Sequence, residues 1–207
     1  MGGFAEAPIT LFILIINTMV SIYALTGRPE LIDKLSFHID RILNHQEYYR
    51  LFTAGVVHVD FVHFAFNMIT LYFFGPWLEG ILGPIRFLIL YVGSDLAAQA
   101  LTLVMQKDNP NYAAVGASGA ISGVLFGFCL YEPFRMLYLF FAIPMPAIVF
   151  ALGFVGFSIY YAMQNRESRQ TGGLAHEAHL GGALGGLALT IFLDPTAVTI
   201  FFSQLGF

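Results

Sequence analysis

Long apolar segments separated by short polar ones are the dominant pattern along this chain. Six of them approach the length of about 20 mostly apolar residues that a transmembrane helix requires. They run approximately over residues 8–24, 55–75, 84–106, 118–131, 133–163 and 178–193. The fourth is short, Pro144 and Pro146 interrupt the fifth, and an apolar tail follows the sixth. The pattern predicts an all-α, polytopic membrane protein in which residues 1–207 form one bundle of six transmembrane helices.

The longest polar stretch lies between the first two predicted helices, over residues 28–50. Its four acidic and four basic residues balance one another. Apolar residues such as Leu31, Phe37 and Ile42 recur within it, which is typical of short amphipathic helices that lie in the membrane interface.

Composition excludes several other classes of protein. Charged residues make up 11% of the chain, whereas a soluble domain carries roughly 25%. The net charge of −4 and the lack of a basic stripe argue against nucleic-acid binding. The 22 Phe and 10 Tyr residues exclude a disordered chain. A single cysteine, Cys129, excludes an intrachain disulfide framework.

Polar residues within the predicted helices are therefore candidates for function, because an ionisable side chain in a span costs about 2.5–3.5 kcal/mol on insertion scales. They cluster where the second, fourth and sixth helices open. These residues are His58, Asp60, His63, Asn67, His176, Glu177 and His179, together with Ser118 in the segment Gly116-Ala-Ser118-Gly119. Asp95, in the third helix, has no evident chemical role, and a hydrogen bond to a neighbouring helix is the favoured interpretation.

Six crossings would place the openings of the second, fourth and sixth helices on one side of the membrane. His63, Ser118 and His179 would then lie at similar depth. Small residues every four positions let helix backbones pack closely in lipid. Such stripes occur beside Ser118 and His179, at Gly119, Gly123 and Gly127, at Gly182 and Gly186, and in parallel at Gly181 and Gly185. Packing these helices would bring a serine next to a histidine.

This combination has the parts needed for acyl transfer. A histidine can remove the proton from a serine hydroxyl, which is a weak nucleophile without a base. Donors for the oxyanion would be the free backbone N–H groups at Ser118, together with the His63 imidazole and the Asn67 amide. The structural alternatives are that Ser118 is a packing residue and that His179, His63 and Asn67 only form hydrogen bonds within the helix bundle. No step of this chemistry needs a metal or another cofactor.

The motifs His63-Phe-Ala-Phe-Asn67, Gly116-Ala-Ser118-Gly119 and Ala178-His179-Leu-Gly-Gly182 resemble those of the rhomboid intramembrane serine proteases. The resemblance covers about residues 8–195 and places the motifs on the expected helices. It implies a Ser118–His179 catalytic dyad without a carboxylate. It also implies that the substrates are single-pass membrane proteins cut within or beside their transmembrane segments, and that His63, Asn67 and the Ser118 amide stabilise the oxyanion.

The resemblance extends to supporting positions. Gly116 and Gly119 flank the nucleophile, Arg50 matches an arginine that orders the first loop, Glu79 matches a structural glutamate, and His58 matches a further histidine near the second helix. The substrate gate would be residues 133–175, where Pro144 and Pro146 would soften the helix. One position departs from the pattern: Ser122 stands where an aromatic residue often stacks on the catalytic imidazole.

Other functions remain as alternatives. A zinc protease would need His-Glu-x-x-His, but His176 and His179 are one residue too close. An aspartyl protease would need two membrane aspartates, and only Asp95 is well placed. A transporter would need its polar path to continue through the far halves of these helices, which are almost purely apolar. A catalytically inactive rhomboid-like binding protein would tolerate loss of Ser118.

Orientation is predicted differently by two arguments. The positive-inside rule would place the active-site loops in the cytoplasm, because they hold most of the basic residues. These are Arg28, Lys34, Arg41, Arg50, Lys107, Arg166 and Arg169, against Arg86 and Arg135 on the opposite side. The resemblance instead predicts a plasma-membrane protein whose active site opens to the extracytoplasmic side. We follow the resemblance, because acids balance the charges of the first loop.

Overall fold

The computed structural model describes residues 6–139, 142–168 and 175–207, and most of them are helical. The long helices are α1 (Pro8–Thr26), α5 (Phe61–Leu82), α6 (Pro84–Gln106), α7 (Ser118–Tyr131), α8 (Ala147–Ser168) and α9 (His176–Leu193). Short elements connect them: α2 (Glu30–Leu35), β1 (Phe37–His38), α3 (Ile39–Leu43), α4 (Arg50–Thr53), a 3₁₀ turn (Ala54–Val56), β2 (Ala113–Ala114), β3 (Met136–Leu139), β4 (Ile143–Pro146) and α10 (Thr196–Gln204).

Several helices have the length and apolar composition of membrane spans. Within the described residues, α1, α5 and α6 are each long and apolar enough to cross a membrane. Helices α9 and α10 meet the same criterion only together, and they are bent by 108° at Asp194 and Pro195. Helix α7 and the Ala147–Tyr160 part of α8 are apolar but shorter. The helical fold is therefore as expected, while the count of six crossings stays a prediction.

The second long helix begins and ends later than the apolar pattern suggested, at Phe61 and Leu82 in place of positions near 55 and 75. The carboxylate of Asp60 accepts a hydrogen bond of 2.7 Å from the His63 backbone N–H, which caps the helix at this point. Residues 54–60 form the 3₁₀ turn and a loop. Apolar runs mark burial in lipid or protein but carry no cap signal, which explains the shift.

The predicted fifth helix is wrong over its first part. Strands β3 (Met136–Leu139) and β4 (Ile143–Pro146) pair antiparallel, with Leu137 opposite Met145, and helix α8 begins only at Ala147. Proline lacks the N–H that an interior helical position donates. Pro144 and Pro146 therefore lie in strand β4 and precede the helix, where they cannot soften it. Part of the predicted gate, residues 140–141 and 169–174, lies outside the described residues.

Helix α7 occupies the centre of the molecule, and every residue from Gly119 to Tyr131 is buried. It packs against α9 at glycines, where a Cβ on Gly182 would collide with the carbonyl oxygen of Gly119 and one on Gly186 with Gly123. This confirms the expected close approach of the two helices. Gly181 and Gly185 instead face Ala97 and Ala98 on α6, so α9 has a glycine seam on two sides.

Candidate active site

Ser118 and His179 are in hydrogen-bond contact. The Ser118 Oγ lies 2.8 Å from the His179 Nε2, although 61 residues separate them in sequence. Ser118 is the first residue of α7, and His179 lies in the first turn of α9. The glycine contacts between these helices set the distance, because no side chain intervenes between the two backbones. This pair can transfer a proton from the hydroxyl to the ring.

The backbone before Ser118 is fixed by the first loop. Strand β1 pairs antiparallel with β2, with Phe37 opposite Ala114, and the Gly116 N–H donates to the Ala54 carbonyl at 2.8 Å. Gly116 has a φ of +116°, which side chains rarely adopt. A Cβ here would also lie 2.5 Å from the His63 Cε1. Only glycine therefore lets the His63 ring approach the turn into α7.

His58 lies in the loop that precedes α5, outside the membrane-spanning helix, and is fully buried. Its Nδ1 is 2.8 Å from the Ser21 Oγ, and its Nε2 accepts a long hydrogen bond of 3.4 Å from the Ala117 N–H. Because Nε2 is an acceptor, the proton is assigned to Nδ1, which donates to Ser21. Burial lowers the pKa of His58 to about 3, so the ring is neutral. His58 thus ties α1 to the residue before Ser118.

His63 and Asn67 lie one turn apart on α5, and the Asn67 Nδ2 donates to the His63 carbonyl at 2.9 Å. The His63 ring lies against Gly116 and meets the His58 ring edge-on, with centroids 5.2 Å apart. The structure therefore brings His63 to the turn before Ser118. Asn67 is buried, and an amide nitrogen carries a second N–H that its bond to His63 leaves for another acceptor.

Arg50 is buried at the centre of the first loop. Its guanidinium donates to the carbonyls of Asp33 and Ser36 at 2.7 and 2.8 Å and to the Glu47 carboxylate at 2.6 Å. The hydrogen bond from Arg50 lowers the pKa of the Glu47 carboxyl. These contacts join α2 to α4, and Arg50 is therefore placed to order the loop that pairs with β2.

Glu79 is buried at the far end of α5, next to the first turn of α1. Its carboxylate accepts hydrogen bonds from the backbone N–H of Ile9 at 2.9 Å and from the N–H and hydroxyl of Thr10, both at 2.7 Å. The first amides of a helix have no partner within it and favour a negative charge. Glu79 therefore caps α1 and fixes it to α5.

Gly119 faces α6 at a close approach, since a Cβ there would lie 2.6 Å from the Ala98 Cβ. Ser122, one turn further along α7, donates to the Ser118 carbonyl at 2.7 Å. The Ser122 hydroxyl is thus bound to its own helix. On α8, the ring of Phe154 meets the His179 imidazole.

A small cavity of about 20 Å³ lies beside Ser118, lined by polar groups of Asp95, Gln99 and Thr102 on α6. This is room for about one water molecule. The carboxylate of Asp95 has Gln99 of the same helix as its hydrogen-bond partner, and its Oδ1 has none among the described residues. The expected bond from Asp95 to a neighbouring helix is therefore not found there.

Two contributors to the site were missed in the sequence. Ser21 binds His58, and the only signal for it was a polar residue one turn after Asn17 in an apolar helix; both are buried. Phe154 was one of many phenylalanines in its segment, and nothing in the pattern set it apart. Among the described residues, no three His, Cys, Asp or Glu side chains are grouped so as to hold a metal ion.

Known proteins share these features. The Rhomboid domain family model matches residues 45–195. The rhomboid protein YdcA of Bacillus subtilis is 42% identical over 85 residues, which is 41% of each chain. Rhomboid protease GluP of the same species is 31% identical over 141 residues, covering 68% of this chain and 25% of GluP.

A plant relative, the mitochondrial RHOMBOID-like protein 12 of Arabidopsis thaliana, is 29% identical over 148 residues, covering 64% of this chain and 43% of that protein. Each of these matches covers less than half of the relative's length. The family model, however, spans well over half of this chain and includes all three motifs. The chain therefore belongs to the rhomboid family of membrane-spanning proteins.

Proposed function

We propose that this protein is an intramembrane serine endopeptidase that cleaves transmembrane segments of membrane proteins through a Ser118–His179 dyad. The observation that carries the proposal is the 2.8 Å contact between the Ser118 Oγ and the His179 Nε2. Membership of a family that includes named proteases supports it. For the zinc alternative, the described residues contain no group of three possible metal ligands.

In the proposed mechanism, His179 takes the proton of the Ser118 hydroxyl as the oxygen attacks the scissile carbonyl carbon. The tetrahedral intermediate collapses when His179 returns that proton to the departing amine, which leaves an acyl group on Ser118. Water then gives a proton to His179 as its oxygen attacks the acyl carbon. His179 returns this proton to the Ser118 Oγ as the acyl–oxygen bond breaks, which releases the new carboxylic acid and regenerates the serine hydroxyl. No cofactor takes part.

The negative charge on the intermediate needs donors that are already in place. The Ser118 N–H is at the start of α7, where helical amides have no intrahelical partner. The imidazole of His63 and the second N–H of Asn67 would complete the set. Gly116 supports this assignment, because the absence of a side chain there lets His63 reach the turn before Ser118.

The apolar outer surface of the long helices supports a substrate that lies in the membrane. Large apolar side chains cover the outside of the long helices, for example Phe12 and Met19 on α1 and Ile85 on α6, which is typical of contact with lipid. A substrate would approach through the bilayer as a transmembrane helix of a single-pass protein. Its backbone carbonyls are bonded within the helix, so it must unwind near the cut. Helix-breaking or small residues should favour cleavage.

The test is incubation of the purified protein in detergent or liposomes with a model single-pass substrate. The wild type should cleave it, and Ser118→Ala and His179→Ala should each lower the rate by about a thousandfold or more, because the nucleophile and the base act as a unit. A fluorophosphonate probe should label Ser118 in the wild type and fail in His179→Ala.

Undiminished cleavage by Ser118→Ala would refute the serine mechanism. If the wild type neither cleaves nor is labelled under conditions that label an active rhomboid protease, while a single-pass protein still co-purifies with it, the protein is a rhomboid-like binding protein. The two outcomes are distinct because binding does not need the Ser118 hydroxyl.

A further inference from the structure

The His179 imidazole is held by few polar contacts. Its Nε2 faces the Ser118 Oγ, and within the described part of the chain no carbonyl or carboxylate accepts a hydrogen bond from its Nδ1. A general base needs a defined ring orientation, which a partner on the second nitrogen often supplies. Here the orientation must come chiefly from packing of the ring.

Phe154 on α8 supplies the closest packing of this kind. Its ring centroid lies 5.8 Å from that of His179, with 34° between the two planes. Phe154 in turn meets Phe126 of α7 at 5.8 Å and Phe150, one turn earlier on α8, at 5.8 Å and 28°. Neighbours on two helices therefore restrain the Phe154 ring, and it presents a fixed surface to the imidazole.

The other contact to the imidazole comes from its own helix. His176 meets His179 edge-on, with centroids 6.3 Å apart and 85° between the planes, and Phe157 of α8 meets His176 at 5.4 Å. Ser122, one turn after Ser118 on α7, donates to the Ser118 carbonyl and carries no ring. The phenylalanine ring that meets His179 therefore comes from α8.

We propose that Phe154 is a positioning residue for the catalytic histidine, holding the His179 imidazole in line with Ser118 from α8, a helix that carries neither member of the dyad. The inference rests on the proposed function for its catalytic consequence. Its structural part, the restraint of the His179 ring, stands independently of activity. Because the contact crosses between helices, movement of α8 away from α9 would release the ring.

Three substitutions test the role of Phe154. Phe154→Leu removes the aromatic face, Phe154→Met removes it with a flexible, unbranched side chain, and Phe154→Tyr retains it. Leu152→Ala is the control, because it truncates a side chain of the same helix that is 71% exposed. Thermal melting and the folded fraction are measured for each, and rates are expressed per folded molecule.

For Phe154→Leu and Phe154→Met we expect kcat to fall roughly 2- to 10-fold, the range that one aromatic contact supplies, with KM unchanged. Labelling of Ser118 by a fluorophosphonate should fall by the same factor, since the probe needs the dyad but not the docking of a transmembrane helix. Phe154→Tyr should restore both rates, and Leu152→Ala should retain them. Equal rates in Phe154→Leu and Leu152→Ala, or a change in KM alone, would overturn the proposal.

A spectroscopic arm separates this inference from the proposed function. In protein labelled with ¹³C-histidine, the ring signal of His179, assigned by its loss in His179→Gln, should shift or broaden in Phe154→Leu and not in Leu152→Ala. An unchanged signal would overturn the inference even in an active enzyme. A changed signal in a protein whose wild type neither cleaves nor is labelled would support the ring contact while the proposed function fails.

Discussion

His58 illustrates how a single ionisable residue depends on its surroundings. The sequence identified it as a polar residue near the start of a span and gave it no mechanism. In the fold it is completely buried, and its two ring nitrogens join Ser21 of α1 to the amide of Ala117. The contact to Ala117 requires the neutral ring, because a protonated Nε2 could not accept from its N–H, whereas Nδ1 donates to Ser21 in either state. Protonation of His58 would therefore loosen the turn that presents Ser118.

This predicts that acid weakens the fold. The pKa of His58 is about 3 in the folded protein against an ordinary value of 6.5, so the unfolded chain binds more protons between these values and stability falls as the pH is lowered through that window. Melting temperatures in detergent between about pH 7 and pH 5 should decline less steeply in His58→Gln than in the wild type. His45→Gln, which removes an exposed histidine of the first loop, should keep the wild-type slope. Identical slopes in wild type and His58→Gln would contradict the assignment.

At the scale of helices and strands, the position of α7 is set by absent side chains. Gly119, Gly123 and Gly127 all face neighbours at a distance that leaves no room for a Cβ. Lipid tails are as apolar as the helix surfaces, so no hydrophobic effect drives the helices together, and close backbone packing supplies the attraction. The short helix that carries Ser118 is thereby fixed against both α6 and α9, and the Ser118–His179 distance depends on the α7–α9 part of this packing.

Gly182→Ala should therefore impair both stability and activity. Its methyl group would collide with the Gly119 carbonyl and push α9 away from α7. We expect the free energy of unfolding to fall by about 1–3 kcal/mol, as for other overpacked cores, and cleavage to fall at least tenfold because the Ser118–His179 contact lengthens. Thermal melting and the cleavage assay measure the two effects.

The control is Gly80→Ala on α5, where a Cβ would meet nothing within 4 Å. It introduces the same methyl group into a long apolar helix without a clash, and wild-type activity is expected. Full activity and stability in Gly182→Ala would show that the α7–α9 seam does not set the dyad geometry.

For the whole molecule, the distribution of charge and the resemblance of the motifs predict different orientations. Six crossings would place most basic residues on the active-site side, but three of the four in the first loop have partners within the folded chain. Arg50 is buried among carbonyls, and Arg28 and Arg41 lie 3.2 and 3.9 Å from glutamates. We retain as a prediction the orientation that the resemblance implies, with the active site outside the cytoplasm.

We therefore expect both chain termini in the cytoplasm. Tags at the N-terminus and the C-terminus of the protein expressed in bacteria should be inaccessible to a membrane-impermeant reagent until the cells are permeabilised, whereas a tag inserted after Arg28 should react in intact cells. Accessible tags at both ends would reverse the orientation, and one accessible end would exclude an even number of crossings.

The sequence by itself determined the candidate site of this protein more completely than its shape. Periodic glycines and isolated polar residues in apolar helices are local signals, and they located Ser118, His179 and His63 and led to the family. Helix limits were less predictable. Apolar runs do not show where a cap such as Asp60 begins a helix, and they concealed the hairpin before Ala147, where two prolines mark an interruption without specifying its form.

Only the tertiary structure decided that Ser21 and Phe154 support the candidate dyad from a distance. Both act across helices that are remote in sequence, and contacts of this kind depend on how the helices pack. An apolar helix has many equivalent phenylalanines, and its own sequence does not say which of them meets an imidazole on another helix. The candidate reactive residues can therefore be read from motifs, whereas supporting residues outside those motifs, such as these two, follow from the fold.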